Sequence, residues 1–264
     1  MAEPARGAYR ELVRAQIRSQ SQYRASFAMD AALTSCVSVL EILAILVLFR
    51  VTPSLGGFSV REAVLIAALC EFAFQIADLA VGNIERIAEY VRTGRMDTVL
   101  VRPLSPLGQL LAGDFPLRKA GRVVQGLALY AAALVYAGID WTPARALLAV
   151  TAPVAAGALF AAAFVAGATV AFFWIDSGEF ANAFTYGGRT FGTYPQTIYP
   201  AWMRVLFGYG FAGYQPALAL LGRPDPLGTP AWVAWCTPLA AAAAWVGAVL
   251  MWRTGVRHYR STGS

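Results

Sequence analysis

Histidine, lysine and charge in general are scarce in this chain, and each shortage removes a class of function. The 264 residues hold one histidine, three cysteines and only 14% charged residues. His258 stands alone in a basic C-terminal tail, so a histidine-based active site or metal centre has nothing to build on. Cys36, Cys70 and Cys236 all fall in apolar stretches at no metal-ligand spacing, which argues for plain buried thiols and against a disulfide framework. The single lysine, Lys119, follows Pro116-Leu117-Arg118 with no glycine-rich turn before it, so there is no Gly-x-x-x-x-Gly-Lys-[Ser/Thr] phosphate cradle. A soluble domain carries about 25% charged residues. The deficit, beside 58% hydrophobic residues, places the chain in lipid.

What is present are long apolar runs. Six segments are long enough to cross about 30 Å of hydrocarbon, at residues 27–49, 60–84, 121–139, 145–174, 201–221 and 231–252. The expected fold is an all-α integral membrane protein of six transmembrane helices. The fifth span is the weakest, broken by Gly208, Gly210, Gly213 and Pro216. With both termini inside, 17 of the 21 basic residues fall on the cytoplasmic side and four (Arg50, Arg61, Arg145 and Arg223) outside, as the positive-inside rule requires. Trp141, Trp232 and Trp235 then mark the outer interface, and Trp174, Trp202 and Trp252 the inner one. The net charge of +6 is therefore a topology signal, and its spread over four segments gives no nucleic-acid patch.

Three regions divide the chain. In residues 1–26, Arg6, Arg10, Arg14 and Arg18 recur every four residues opposite Tyr9, Leu12, Val13 and Ile17, an amphipathic helix suited to the inner membrane surface. A cleavable signal peptide does not fit, because the basic stretch is long and Glu41 interrupts the apolar run. Residues 27–252 form one six-helix membrane domain, and 253–264 a basic cytoplasmic tail.

The most distinctive segment is the loop at residues 94–106, reading Gly94-Arg95-Met96-Asp97-Thr98-Val99-Leu100-Val101-Arg102-Pro103-Leu104-Ser105-Pro106. Asp97 is placed to cap a short helix, and Pro103 stops it by disfavouring helical geometry at Arg102. Met96, Val99 and Leu100 share one face. A short, capped, partly apolar helix on a basic loop suits a groove on another protein.

The first two spans carry acids at membrane depth: Asp30 and Glu41, then Glu71 and Asp78. Spacings of eleven and seven residues place each pair within about 20° of one helix face. Glu41, Glu71 and Asp78 are candidate cavity-lining residues, for a cation-bearing substrate or a protonation step; the plainer role is an interhelical hydrogen bond. No intramembrane basic partner is evident from the sequence. Residues 180–194 are too polar to cross comfortably and are expected on the surface or as a re-entrant helix. The stretch Tyr194-Pro195-Gln196-Thr197-Ile198-Tyr199-Pro200-Ala201-Trp202-Met203-Arg204 is expected at the inner interface, leading into the fifth span.

The two regions together resemble the six-helix permease subunits of bacterial type-2 ATP-binding-cassette transporters. Gly94, Met96, Asp97, Leu100, Arg102, Pro103, Ser105 and Pro106 meet the pattern of the loop after the second helix, and the Tyr-Pro-x-x-Ile-Tyr-Pro stretch with Trp202 and Arg204 matches the same branch. The chain departs from it after the fifth-span entry, where Gly208 and Gly210 stand in place of a proline. The resemblance implies that the loop couples to an ATPase, with Asp97, Leu100 and Arg102 facing that partner, Met96 and Val99 filling its groove, and Gly94 and Pro103 bounding the element. It also implies a cytoplasmic (inner) membrane location, a second permease subunit, alike or related, and export of substrate. No cofactor is expected on this chain, ATP and Mg being held by the partner. The rival reading is a proton-coupled secondary transporter using Glu41, Glu71 and Asp78. A membrane-embedded enzyme finds no cluster of Asp, His or Ser to work with, and a non-transporting scaffold is compatible with the docking loop.

Overall fold

The computed structural model describes residues 24–113, 119–174 and 176–259, all of its regular structure helical. The basic arm carrying Arg6, Arg10, Arg14 and Arg18 lies outside the described residues, as do the side chains of Asp30 and Glu41. The α-helices are α1 (Arg24–Val51), α2 (Val60–Val81), α3 (Ile87–Arg92), α4 (Arg95–Leu100), α5 (Pro106–Gly113), α6 (Ala120–Ala137), α7 (Pro143–Thr169), α8 (Gly178–Gly192), α9 (Ala201–Phe207), α10 (Tyr214–Leu221) and α11 (Thr237–His258). Among the described residues, four helical stretches combine the length and hydropathy of membrane spans: Val60–Arg92, Ala120–Ala137, Pro143–Phe172 and Thr237–His258. At 28 residues α1 is also long enough, about 42 Å at 1.5 Å per residue.

Local chemistry sets the helix starts. At α2 the Glu62 carboxylate accepts hydrogen bonds from the Ser59 backbone N–H (2.7 Å) and hydroxyl (2.9 Å), closing the entry turn. At α7 the Thr142 hydroxyl accepts from the Arg145 N–H, and Pro143 occupies the first turn, where no N–H is needed. The helices then pack through aromatics and small residues. Phe74 of α2 meets Phe160 and Phe164 of α7 and Tyr186 of α8, with ring centroids 5.3–5.5 Å apart. Gly157 lets α7 close on α2: a Cβ there would sit 3.1 Å from the Ala73 carbonyl oxygen. Trp252 of α11 is buried against Phe172 at the foot of α7. It is a packing residue, not the interfacial anchor expected from sequence.

The largest departure from expectation concerns α8. The helix runs antiparallel beside α2 from one end of the bundle toward the other. The Tyr186 hydroxyl donates to Glu85, Arg189 reaches Glu71, Gly192 lies against Cys70, and the Thr197 hydroxyl donates to the Gly56 carbonyl in the loop joining α1 to α2. So residues 180–194 run through the bundle alongside α2 and are neither the surface helix nor the re-entrant helix expected from sequence. Their polar side chains are accommodated because Glu71 of α2 and Glu85 just beyond it take Arg189 and Tyr186, and the Thr185, Thr190 and Thr193 hydroxyls donate to carbonyls of their own segment.

Residues 201–221 correspondingly do not form one helix. They break into α9, a 3-10 turn at Tyr209–Ala212, and α10. This broken hairpin starts and ends at the end of the bundle that bears Gly56, here called the far end. At its deepest point Tyr209 stacks on Phe160 (4.9 Å), and Gly213 fits against the Ile66 carbonyl and Cys70, where a Cβ would come within 2.9 Å of both. The chain returns at Gly222, which lies under the Arg145 guanidinium. From Tyr209 to Leu220 the hairpin is largely buried, which is the condition for irregular backbone at membrane depth, while α9 leaves Trp202, Val205 and Leu206 exposed. Trp202 and Arg204 therefore belong to the far end, correcting the inner placement read from sequence. Arg189 is likewise withdrawn from the inner set to mid-bundle. The basic excess still lies at the other, basal end, where α3, α4 and α5 sit.

A polar latch holds the far end together. The Asp225 carboxylate accepts from the Tyr214 hydroxyl (2.5 Å), Gln215 Nε2 (3.1 Å), the Leu227 N–H (2.9 Å) and the Thr229 hydroxyl. Arg223 donates to Glu62 and to the Gly57 carbonyl, both at 2.7 Å, and lies over the Phe58 ring. Burial alone would raise the Asp225 carboxyl, but the hydrogen bonds from Thr229, Tyr214, Leu227 and Gln215 outweigh it and hold the group below its ordinary value.

Candidate coupling and translocation sites

The basal hairpin forms because Gly94 can adopt a left-handed conformation (φ 68°), which turns the chain between α3 and α4. Gly94 is the N-cap residue of α4. Asp97 lies within its first turn and is not the cap expected from sequence, although its charge still favours the helix start. The helix ends at Leu100, before Arg102-Pro103, as the proline dictates. Ser105 then opens α5, its hydroxyl accepting from the Gly108 N–H.

Which face of α4 points outward differs from the sequence reading. Met96 is fully buried (0% exposed) and Val99 nearly so, both within the protein's own core, and Leu100 packs partly against it. These residues anchor the hairpin to the bundle and are not available to fill a groove on another protein. Apolar residues spaced three apart can dock inward or outward, and here the basal end of the bundle claims them. The outward face carries Arg95, Thr98, Val101, Arg102 and Pro103, with Val101 85% exposed. Arg95 lies over the Tyr90 ring at 4.9 Å.

Two residues that the sequence did not single out fix this element. Buried Gln109 of α5 donates through Nε2 to the carbonyls of Val99 (3.0 Å) and Leu104 (3.1 Å), pinning the loop from inside. Tyr259, just beyond α11, packs against Phe172, and both burial and the neighbouring Asp97 carboxylate push its phenol up. The loop thereby lies beside the end of the last helix.

Two of the membrane-depth acids, Glu71 and Asp78, have basic partners, contrary to expectation. Asp78, 7% exposed at its side chain, is 2.5 Å from Lys119 Nζ and 3.9 Å from Arg122 NH1, joining α2 to the entry of α6. Glu71 is 3.1 Å from Arg189 NH1 and accepts from Gln75 Nε2 at 3.1 Å, joining α2 to α8. Of the three candidate cavity-lining residues, Glu71 does line a cavity. Asp78 is locked in its ion pair away from that cavity, and Glu41 falls outside the described side chains. Among the described residues no group of three or more His, Cys, Asp or Glu could hold a metal.

A helical bundle with paired charges at mid-depth, a far-end re-entrant hairpin and a pinned basal loop defines an all-α membrane protein. A family model described as "ABC-2 family transporter protein" matches residues 36–263, and the chain belongs to that family, an ABC-2 type permease. Members are the non-catalytic membrane components of ATP-binding-cassette transporters, which associate with an ATPase subunit. No curated protein and no solved structure gave a significant match.

Proposed function

We propose that this permease is half of a bacterial inner-membrane exporter, powered by a separate ATPase that binds the outward face of the basal hairpin. The observation that carries this reading is the division of α4 into two faces. Met96 and Val99 bind it rigidly to the bundle, while Arg95, Thr98, Val101, Arg102 and Pro103 project from it. An element gripped on one side and presented on the other transmits force. A push on it moves α2, to which α3 and α4 are joined, and the Tyr259 contact carries it to α11. The bundle would then shift between inward-open and outward-open packings as a rigid body. ATP and Mg are held by the ATPase, and a second permease subunit, a copy or a relative, completes the pathway. In this reading the termini and basal hairpin are cytoplasmic.

The proton-coupled alternative is disfavoured by the partners of the acids. Glu71 is bonded to Arg189 and Asp78 to Lys119, so both carboxylates already serve to join helices. The reading is tested by co-purification of the permease with its ATPase. Val101→Asp combined with Arg102→Glu should reduce ATPase recovery at least tenfold while membrane insertion and thermal stability stay unchanged. Unchanged recovery would count against the hairpin as the docking element.

A further inference from the structure

At the far end a cavity of about 340 Å³ opens between the start of α7, the end of α10 and the 3-10 turn at Ala231–Trp235. For scale, a purely apolar cavity of about 150 Å³ accepts benzene. The apolar part of the wall is Leu218 and Ala219 of α10 with Pro224, Ala231, Ala234 and Trp235. Trp235 is 43% exposed and its neighbour Trp232 67%, which sets the mouth at the boundary between lipid and water.

Three charged side chains line this cavity: Arg145, Arg223 and Asp225. Two of them are fully engaged. Arg223 holds Glu62 and the Gly57 carbonyl. Each Asp225 oxygen accepts two hydrogen bonds, one from Tyr214 and the Leu227 N–H, the other from Gln215 and Thr229. Arg145 is different. Its NH1 donates to the Asp140 carbonyl at 2.7 Å, and no described carboxylate lies within ion-pair distance of it. A guanidinium carries five N–H donors, so most of this fork is unused. The side chain shares a face of α7 with buried Leu148, Ala149 and Ala152, which turns it inward, away from lipid. Nor is it needed to cap α10. That helix closes its own end, with the Gly222 N–H on the Ala219 carbonyl and the Arg223 N–H on the Leu218 carbonyl. Gly222 instead leaves room for Arg145: any Cβ there would collide with its NH2.

The surrounding charge can be counted, because every charged side chain of the far-end segments is described. Arg50, Arg61, Arg145, Arg204 and Arg223 stand against Glu62, Asp140 and Asp225, five cations to three anions, and Arg223 with Glu62 is the one ion pair among them. The field at the cavity therefore favours an anion, and the free guanidinium fork matches an oxyanion geometrically. We propose that the cavity binds the oxyanion head, a carboxylate or phosphate, of a small amphiphile, with the head on Arg145 and the apolar part against Trp235 and the alanines beside it. The head can belong to a membrane lipid or to a free compound, since the chemistry is shared. Binding here is independent of the permease reading, as it requires neither an ATPase nor transport.

The test uses 8-bromooctanoate as probe at neutral pH, with the full chain in phosphatidylcholine nanodiscs and bromine quenching of tryptophan as the readout. Displacement by unbrominated octanoate separates saturable binding from partitioning into lipid. The expected result is saturable quenching, largely lost in Trp235→Phe. Affinity should fall about tenfold or more in Arg145→Gln, the scale of one charge-assisted hydrogen bond. Ala231→Phe, on the exposed rim, should block the probe by filling the mouth. The uncharged 8-bromooctanol should bind about tenfold or more weakly than the acid, for the same reason as Arg145→Gln. An alcohol that binds as tightly as the acid, or quenching unaffected by Arg145→Gln and Ala231→Phe alike, would overturn the proposal. So would the absence of saturable quenching, or displacement by inorganic phosphate as effective as that by octanoate. Thermal unfolding checks that each variant is folded, and should Arg145→Gln fail to fold, Ala231→Phe and the alcohol comparison decide. Replacing part of the phosphatidylcholine by phosphatidylglycerol then identifies the source of the head. Competition assigns the site to a lipid headgroup, and its absence assigns the site to a free amphiphile; both support the oxyanion site.

Discussion

Removing the Lys119 ammonium tests the buried pairing most sharply. Lys119 Nζ lies 2.5 Å from Asp78 Oδ1, and the two side chains are 20% and 7% exposed. Truncating one member of a fully buried pair costs about 3–5 kcal/mol, because the remaining charge stays buried. Here the cost should be smaller, since Arg122 remains 3.9 Å from the other Asp78 oxygen. Lys119→Met should therefore destabilise the bundle by about 2–3 kcal/mol. Asp78→Asn should cost less, about 1–2 kcal/mol, because Lys119 and Arg122 are both near enough to solvent to recover hydration. The double variant should cost less than the sum, giving a coupling energy of about 1–2 kcal/mol in a double-mutant cycle. The assay is reversible unfolding in mixed detergent micelles, followed by tryptophan fluorescence. Strict additivity, with a coupling below about 0.5 kcal/mol, would refute the claim that this pair holds α2 to α6.

Three further outcomes follow from the same structure. Gly213→Val should prevent the far-end hairpin from seating, because a side chain there meets the Ile66 carbonyl and Cys70; labelling of Cys70 by a membrane-permeant maleimide should rise from undetectable to near complete. Arg189→Met should loosen α8 from α2, whereas the paired Glu71→Gln, Arg189→Met variant should recover much of the lost stability, measured by unfolding in the same micelles. The Asp225 carboxyl is depressed in the folded protein, so its contribution is fully present above the unfolded value near 3.8 and is lost as pH falls through the lower folded value. As pH falls below about 3.8, the protection of amides in residues 222–229 relative to their intrinsic exchange rates should therefore fall in the wild type, while in Asp225→Asn it should already be low and change little with pH.

What could be read from the sequence, and what could not, divides along physical lines. Long apolar helices announce themselves by hydropathy alone, so the stretches holding α1, α2, α6 and α7 were legible with small shifts at their ends, while α11 lies six residues later than expected because Ala231–Trp235 forms a separate 3-10 turn. The basal hairpin was legible because Gly94 and Pro103 act on their own backbone. Helix α8 was misread because its polar residues are satisfied by partners far along the chain: Arg189 meets Glu71 across 118 positions and Tyr186 meets Glu85 across 101. The pairing of a lone mid-helix arginine with an orphaned glutamate was the one available signal. The orientation of α4 was also hidden, since Met96 and Val99 would look the same whether they faced inward or outward. Gln109 and Gln75 gave no sign at all, as a glutamine's value here lies in where its amide reaches.

The central claim is that α4 is held on one face and offered to an ATPase on the other. Its most direct test is site-specific photocrosslinking in the assembled transporter, with p-benzoylphenylalanine placed at Val101 or, separately, at Met96. Capture of the ATPase subunit from position 101 and of this chain's own helices from position 96 is the expected result. Capture of the ATPase from position 96 in preference to 101, or from neither, would contradict it.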